Sequence, residues 1–208
     1  MSTAQRIAVI GAGSWGTALV KLLSANAPRV GWWVRRAETI AHITKYGHNP
    51  DYISAAQFEV DRLAMDTDIH AVVREADVLV IAVPSAFLKA TLDQLDPAEL
   101  QGRILFSAVK GIVPETNQIV GDHLFQHWGV AERDFGVICG PCHAEEVAME
   151  RLSYLTIACQ DPERAKAMGA ALNGRFLKTT LSDDIYGTVY AAILKTVIPV
   201  CAGSSVAL

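Results

Sequence analysis

Three groups of residues in this chain have types and spacings that could do chemistry. The first is Cys139-Gly140-Pro141-Cys142-His143. A C-x-x-C pair is the spacing of a thioredoxin-like redox centre, and a following histidine makes it that of c-type haem attachment. The second is Gly11-Ala12-Gly13-Ser14-Trp15-Gly16, which fits G-x-G-x-x-G. Its first glycine permits a tight turn, its second lets backbone approach a pyrophosphate, and its third lets helix pack closely on strand. A glycine-rich turn with no ligand is the plainer alternative. The third group is a pair of lysines. Lys110 stands in Ala108-Val109-Lys110-Gly111, and Lys195 is the only charged residue between Tyr186 and Leu208. A lysine inside an apolar helix must be paired, shifted in pKa or functional, and a buried one can serve as general acid or base. An exposed loop lysine and a snorkelling side chain are the plainer readings of Lys110 and Lys195.

The elements that must hold these residues alternate. Strands are expected at Arg6–Ile10, Arg29–Val34, Asp77–Val83, Arg103–Val109, Phe135–Cys139, Leu155–Cys159 and Phe176–Thr179. Helical spacing marks Trp15–Ala25, Ala37–Lys45, His70–Glu75, Ser85–Gln94 with a serine cap, Glu115–Trp128, Ala144–Glu150 and Pro162–Leu172. His48–Phe58 reads as a loop. Asp77–Val83 is almost wholly apolar, as expected of a strand buried on both faces. Such alternation predicts an α/β fold, a Rossmann-like doubly wound and mostly parallel sheet with helices on both faces. Residues 1–182 would form this domain. From Asp183 to Leu208 an apolar helix needs partners on nearly every side, so residues 183–208 are expected to open a second, helical domain that the chain only begins.

In this setting the glycine loop follows a strand and opens a helix, the context that dinucleotide binding requires. The helix N-terminus offers free N–H groups to the phosphates. The next strand ends Val34-Arg35-Arg36 rather than in an acid, and two cations suit a 2′-phosphate. NADP is therefore the expected cofactor, with NAD accepted. Lys110 lies at the C-terminal end of a strand, the edge where open α/β sheets bind ligands.

Composition excludes other classes. The chain is 51% hydrophobic with a formal net charge of −4, so a filled core is expected and the basic footprint of a nucleic-acid binder is missing. No signal-peptide pattern opens it, and no run nears the ~18 apolar residues of a membrane span. A cytoplasmic protein is expected, with its four cysteines held as thiols.

Taken together, Ile10-Gly11-Ala12-Gly13-Ser14-Trp15-Gly16-Thr17-Ala18-Leu19, Val83-Pro84-Ser85, Val109-Lys110-Gly111-Ile112, Gly140 to Ala148 and Ala191 to Val197 resemble bacterial NAD(P)-dependent glycerol-3-phosphate dehydrogenases over essentially the whole chain. The resemblance implies hydride transfer between the nicotinamide and dihydroxyacetone phosphate, giving glycerol 3-phosphate for phospholipid synthesis, and it allows a homodimer. It places Gly11, Gly13, Ser14, Trp15, Gly16, Arg35, Arg36, Tyr52, Pro84, Lys110 and Ala144 at the cofactor. It places Lys110, Gly140, Cys142 and Lys195 at the substrate, with Lys195 as acid/base and no metal. Cys139 then merely ends a strand. Cys142 opens a helix where the family has Ser or Thr. Val189 replaces an acid or amide, and Thr196 replaces an asparagine. A further domain would supply an aspartate and an arginine–asparagine pair. Competing readings are another dehydrogenase of the same layout, such as a ketopantoate reductase or 3-hydroxy acid dehydrogenase, and a non-catalytic nucleotide-binding or redox-sensing module using Cys139 and Cys142.

Overall fold

A computed structural model of the chain describes residues 5–206, with side chains through residue 195. The elements run β1 (Ile7–Ile10), α1 (Ser14–Asn26), β2 (Val30–Trp33), α2 (Ala37–Tyr46), β3 (Leu63–Asp66), α3 (Ile69–Arg74), β4 (Val78–Ile81), α4 (Ser85–Leu92), α5 (Pro97–Leu100) and β5 (Ile104–Ser107). They continue through β6 (Ile112–Val113), β7 (Gln118–Ile119), α6 (Val120–Trp128), β8 (Phe135–Cys139), α7 (Ala144–Ala148), β9 (Ser153–Cys159), α8 (Pro162–Leu172), β10 (Leu177–Ser182) and α9 (Ile185–Val206).

Eight strands form one sheet in the order β10-β9-β8-β5-β4-β1-β2-β3. All neighbours are parallel except β8 and β9. Strand β1 is buried at all four positions, and so is β4. Alternate residues feed two cores. Val9, Trp32 and Val80 pack under Leu19 and Leu23 of α1. Ala8, Ile10 and Leu79 pack under Leu88 of α4 and Leu124 of α6. A sheet covered on both faces exposes only its two strand-end edges, and the crossovers from β1 to β2 and from β1's neighbour β4 to β5 leave in opposite directions. The crevice between the C-terminal ends of β1 and β4 is the switch point at which such sheets take ligands.

The structure corrects two expectations, at Glu115–Ile119 and at Ser85, and adds two features that the sequence does not mark, strand β3 and the reversal at β9. Glu115–Ile119 is not helical: β6 and β7 form a hairpin, and α6 begins only at Val120. Asn117 turns the corner at φ 53°, a left-handed conformation that asparagine tolerates, with its N–H on the Val113 carbonyl at 2.8 Å. Strand β3 lies in a segment that the apolar pattern left unassigned, because at an edge only one of its four residues is buried. Strand β9 returns antiparallel to β8. The five-residue α7 rises only about 7.5 Å, too little to carry the chain back across the sheet. Ser85 is not a cap: Pro84 holds that position, and Ser85 is the first helical residue with no side-chain cap bond.

Candidate active site

Every loop expected to carry chemistry leaves the same edge. The glycine loop follows β1, Arg35-Arg36 follow β2, Pro84 lies in the turn after β4, Lys110 after β5 and Gly140 after β8. Because β1, β2, β4, β5 and β8 are mutually parallel through the sheet, all five turns meet at one rim.

The glycine loop is built by contacts that forbid side chains. Gly11 sits at φ 120°, and a Cβ there would lie 2.7 Å from the Ala82 carbonyl oxygen of the β4–α4 turn. A Cβ on Gly16 would lie 2.2 Å from the Gly11 carbonyl oxygen. Gly13 differs, since a Cβ there would meet nothing within 4 Å. It is the N-cap of α1 and makes no side-chain cap bond, so no N-cap side chain competes for the first N–H groups of that helix, as an anion site requires. Two buried side chains hold the loop from behind. Trp32 donates its indole N–H to the Gly11 carbonyl at 2.9 Å. Asn49, fully buried, donates to the Ala12 carbonyl at 3.1 Å and to Thr17 Oγ1 at 2.9 Å.

A cavity of about 350 Å³ opens over this loop. Of the residues expected at a cofactor, Gly11, Gly13, Arg35, Arg36, Tyr52 and Pro84 line it, joined by Thr39, Asp51, Phe87 and Gln94. Arg36 is paired with Asp51. Arg35 is exposed and forms no ion pair among the described residues. Ser14 and Trp15 begin α1 beside the cavity without lining it. Gly16 and Ala144 are interior: Gly16 packs on Gly11, and Ala144 joins the core beneath α1. These residues suit a dinucleotide: a cavity over the glycine loop, a Cβ-free wall at Gly13 and cations among its lining residues.

A second cleft, of about 600 Å³, opens beyond the ends of β5 and β8. Lys110, Gly140, Cys142 and Lys195 all line it, with Cys139, His143, Thr156, Asp184 and Thr188. Lys110 Nζ reaches the Cys142 carbonyl at 3.5 Å and stands 5.2 Å from the centre of the Trp15 ring. Lys195 Nζ donates to the Pro141 carbonyl at 3.2 Å. Two lysines far apart in sequence thus bind successive carbonyls of one loop. Lys195 is not buried: it is exposed, because α9 lies against β8 and β9 and leaves Tyr190 and Leu194 facing outward. Gly140 has a packing reason of its own, since a Cβ there would lie 2.5 Å from the Tyr154 carbonyl oxygen.

The cysteines read differently in three dimensions. Cys139, Cys142 and Cys159 are free thiols, and the Cys201 side chain lies outside the described residues. Burial pushes the Cys139 thiol up to about 11, with nearby Lys110 opposing the shift, and a thiol held that high is a poor nucleophile at neutral pH. Cys142 does not open the helix. His143 is the N-cap and α7 starts at Ala144, while Cys142 is buried with its thiol donating to the Tyr154 carbonyl at 2.9 Å.

The residues missed from sequence are the ones that brace the site. Asn49 and Asp51 are the main ones. Their signal was present in Asn49-Pro50-Asp51, an Asx-turn pattern: Asn49 Oδ1 accepts from the N–H groups of Asp51 at 3.0 Å and Tyr52 at 3.3 Å. Among the described residues no cluster of three or more metal-binding side chains occurs, and no helix is long and apolar enough to cross a membrane.

Comparison with known proteins agrees with this geometry. The family described as NAD-dependent glycerol-3-phosphate dehydrogenase N-terminus matches residues 6–165. A glycerol-3-phosphate dehydrogenase (NAD(P)+) of Ectopseudomonas mendocina (strain ymp) is 33% identical over 210 residues, taking in 100% of this chain and 60% of its own. One of Chlorobium limicola (strain DSM 245 / NBRC 103803 / 6330) is 32% identical over 200 residues, taking in 96% of this chain and 60% of its own. The crystal structure of a glycerol-3-phosphate dehydrogenase from Coxiella burnetii shares the fold with a TM-score of 0.81 at 23% identity, over 90% of this chain and 57% of that one. The chain spans about 60% of the length of the curated relatives it matches.

Proposed function

This chain belongs to the family of NAD-dependent glycerol-3-phosphate dehydrogenase N-termini, and from that premise we propose that it forms the dinucleotide-binding part, with both active lysines, of an NAD(P)-dependent sn-glycerol-3-phosphate dehydrogenase. Residues 1–182 are the dinucleotide domain, and 183–208 open the helical substrate domain. The reaction reduces dihydroxyacetone phosphate to glycerol 3-phosphate in the cytoplasm and feeds phospholipid synthesis.

The observation that carries this reading is the meeting of Lys110 and Lys195 on the carbonyls of Cys142 and Pro141, with Lys110 also over the ring of Trp15 in the glycine loop. A nicotinamide, when bound, would supply the hydride chemistry, which the protein's residues position and polarise. As negative charge grows on the C2 oxygen in reduction, Lys195 gives that oxygen a proton, and in oxidation it takes the proton back. Lys110 stabilises the same charge and attracts the phosphate-bearing substrate. The cleft is lined by two ammonium groups against one carboxylate, Asp184, which favours an anionic substrate. The glycine loop and α1 N-terminus hold the pyrophosphate. Arg35 and Arg36 hold the adenosine end, and their charge favours NADP while NAD is accepted.

Calorimetric titration of the 208-residue chain with NADPH and with NADH tests the cofactor site. Loss of reduced-nicotinamide absorbance on adding dihydroxyacetone phosphate tests the reaction. Saturable binding of both nucleotides is expected, with any turnover abolished in Lys195→Ala while nucleotide binding persists. Binding of neither nucleotide refutes the proposal.

A further inference from the structure

An acid does reach the adenosine end of the cofactor cavity, and it comes from a loop rather than from the end of β2. Asp51 lines the cavity beside Arg35, Arg36 and Tyr52 and forms an ion pair with Arg36. Its position is set by the buried Asn49, whose side chain accepts the Asp51 N–H at 3.0 Å and is itself bonded to the glycine loop at Ala12 and to Thr17. The Asp51 backbone is thus tied to the helix end that would hold the pyrophosphate, and its carboxylate is held by Arg36. Resting on the cofactor site proposed above, we propose that Asp51 is the residue that sets the choice between the two dinucleotides.

Its chemistry acts in opposite senses on the two. A carboxylate accepts from both hydroxyls of an unmodified ribose, the task an acid at the end of the second strand performs in NAD-binding folds. Against a 2′-phosphate the same carboxylate repels, and it competes for the guanidinium that the phosphate needs. Arg35, with no ion pair among the described residues, is left to greet the phosphate, while Arg36 is shared. NADP and NAD are then both accepted because Asp51 offsets part of the advantage that the arginine pair gives NADP.

The test is Asp51→Asn in the 208-residue chain, titrated with NADPH and NADH at one ionic strength. Asparagine keeps the backbone bond to Asn49 and removes the charge from an exposed side chain, so folding is not at stake. The NADPH-to-NADH affinity ratio is expected to rise about tenfold, the equivalent of one charge-assisted hydrogen bond regained by the phosphate. NADPH should tighten and NADH weaken, and Asp51→Glu should move the ratio back toward wild type. A ratio that is unchanged or falls in Asp51→Asn, while both nucleotides still bind, overturns the assignment and leaves the cofactor site standing. Failure of the wild-type chain to bind either nucleotide removes the site itself, and the assignment with it.

Discussion

Replacing Asn49 with alanine is the sharpest probe of how this site is held. The side chain is fully buried and makes four hydrogen bonds: two donated, to Ala12 at 3.1 Å and Thr17 at 2.9 Å, and two accepted, from Asp51 at 3.0 Å and Tyr52 at 3.3 Å. Alanine removes all four. The Asp51 and Tyr52 N–H groups belong to an exposed loop and can turn to water. The Thr17 hydroxyl cannot, since Thr17 is itself fully buried. With about 0.5–1.5 kcal/mol net per bond and the higher cost of a buried group left unpaired, the loss comes to roughly 3–4 kcal/mol. For a chain of this size that lowers the thermal midpoint by about 6–16 °C. Circular dichroism melts of the wild-type and Asn49→Ala chains measure it. Nucleotide titration below the lower midpoint adds a second reading: both nucleotides should weaken, NADH more than NADPH, because the variant loosens the whole 49–52 loop and with it the Asp51 carboxylate proposed to favour NADH. A midpoint shift under about 2 °C, less than ~1 kcal/mol, would refute the claim that Asn49 fastens the loop to the glycine turn.

Two other perturbations read the site independently. Gly16→Ala places a Cβ 2.2 Å from the Gly11 carbonyl oxygen, so α1 must shift. Destabilisation of about 3 kcal/mol, the upper range for overpacking, is expected in urea unfolding. Gly13→Ala meets nothing within 4 Å, so the unfolding midpoint should hold while affinity for both nucleotides drops about tenfold or more, through lost backbone approach to the pyrophosphate; equal stability losses in the two variants would contradict the geometry. Cys139, raised from its ordinary 9.0 to about 11 by burial, should resist iodoacetamide at neutral pH in mass-spectrometric labelling. Its linkage runs toward alkaline instability. Between pH 9 and 11 the unfolded chain loses the thiol proton and the folded chain keeps it, so stability falls as pH rises through that window. Cys139→Ala should flatten that limb of the pH–stability curve.

What was legible in the sequence is what the backbone imposes locally. Asp77–Val83 announced a strand buried on both faces, and β4 is buried throughout. Gly11, Gly13 and Gly16 announced a glycine turn, and at Gly11 and Gly16 the carbonyls of Ala82 and Gly11 leave no room for a side chain. The failures were of a different kind. Strand β3 was hidden because an edge strand with a single buried position carries too little apolar pattern to stand out. The β6–β7 hairpin was hidden inside a helical spacing because one asparagine, Asn117, adopts a positive φ, which periodicity does not register. The apolarity of its neighbours predicts a buried Lys195. An apolar segment has more than one face, and this lysine emerges on one that α9 does not pack against β8 and β9.

The residues that brace the site were the least legible, because bracing is a long-range relation between groups that are unremarkable where they stand. Asn49 and Thr17 are 32 positions apart, and Tyr154 is 12 from Cys142. The C-x-x-C stretch shows the consequence. Read as a string it offers two thiols for redox work. In the fold, one thiol is desolvated at a strand end and the other is spent on the Tyr154 carbonyl. What the stretch gives the two lysines is backbone: the carbonyls of Pro141 and Cys142, which hold Lys195 and Lys110. A side chain at position 142 that is small and gives one hydrogen bond inward satisfies this geometry, which is why cysteine can stand where the resembling family has serine or threonine. The chemistry then depends on the loop keeping its carbonyls in place and not on sulfur. Cys142→Ser, which keeps an inward donor, therefore preserves the anchorage of both lysines.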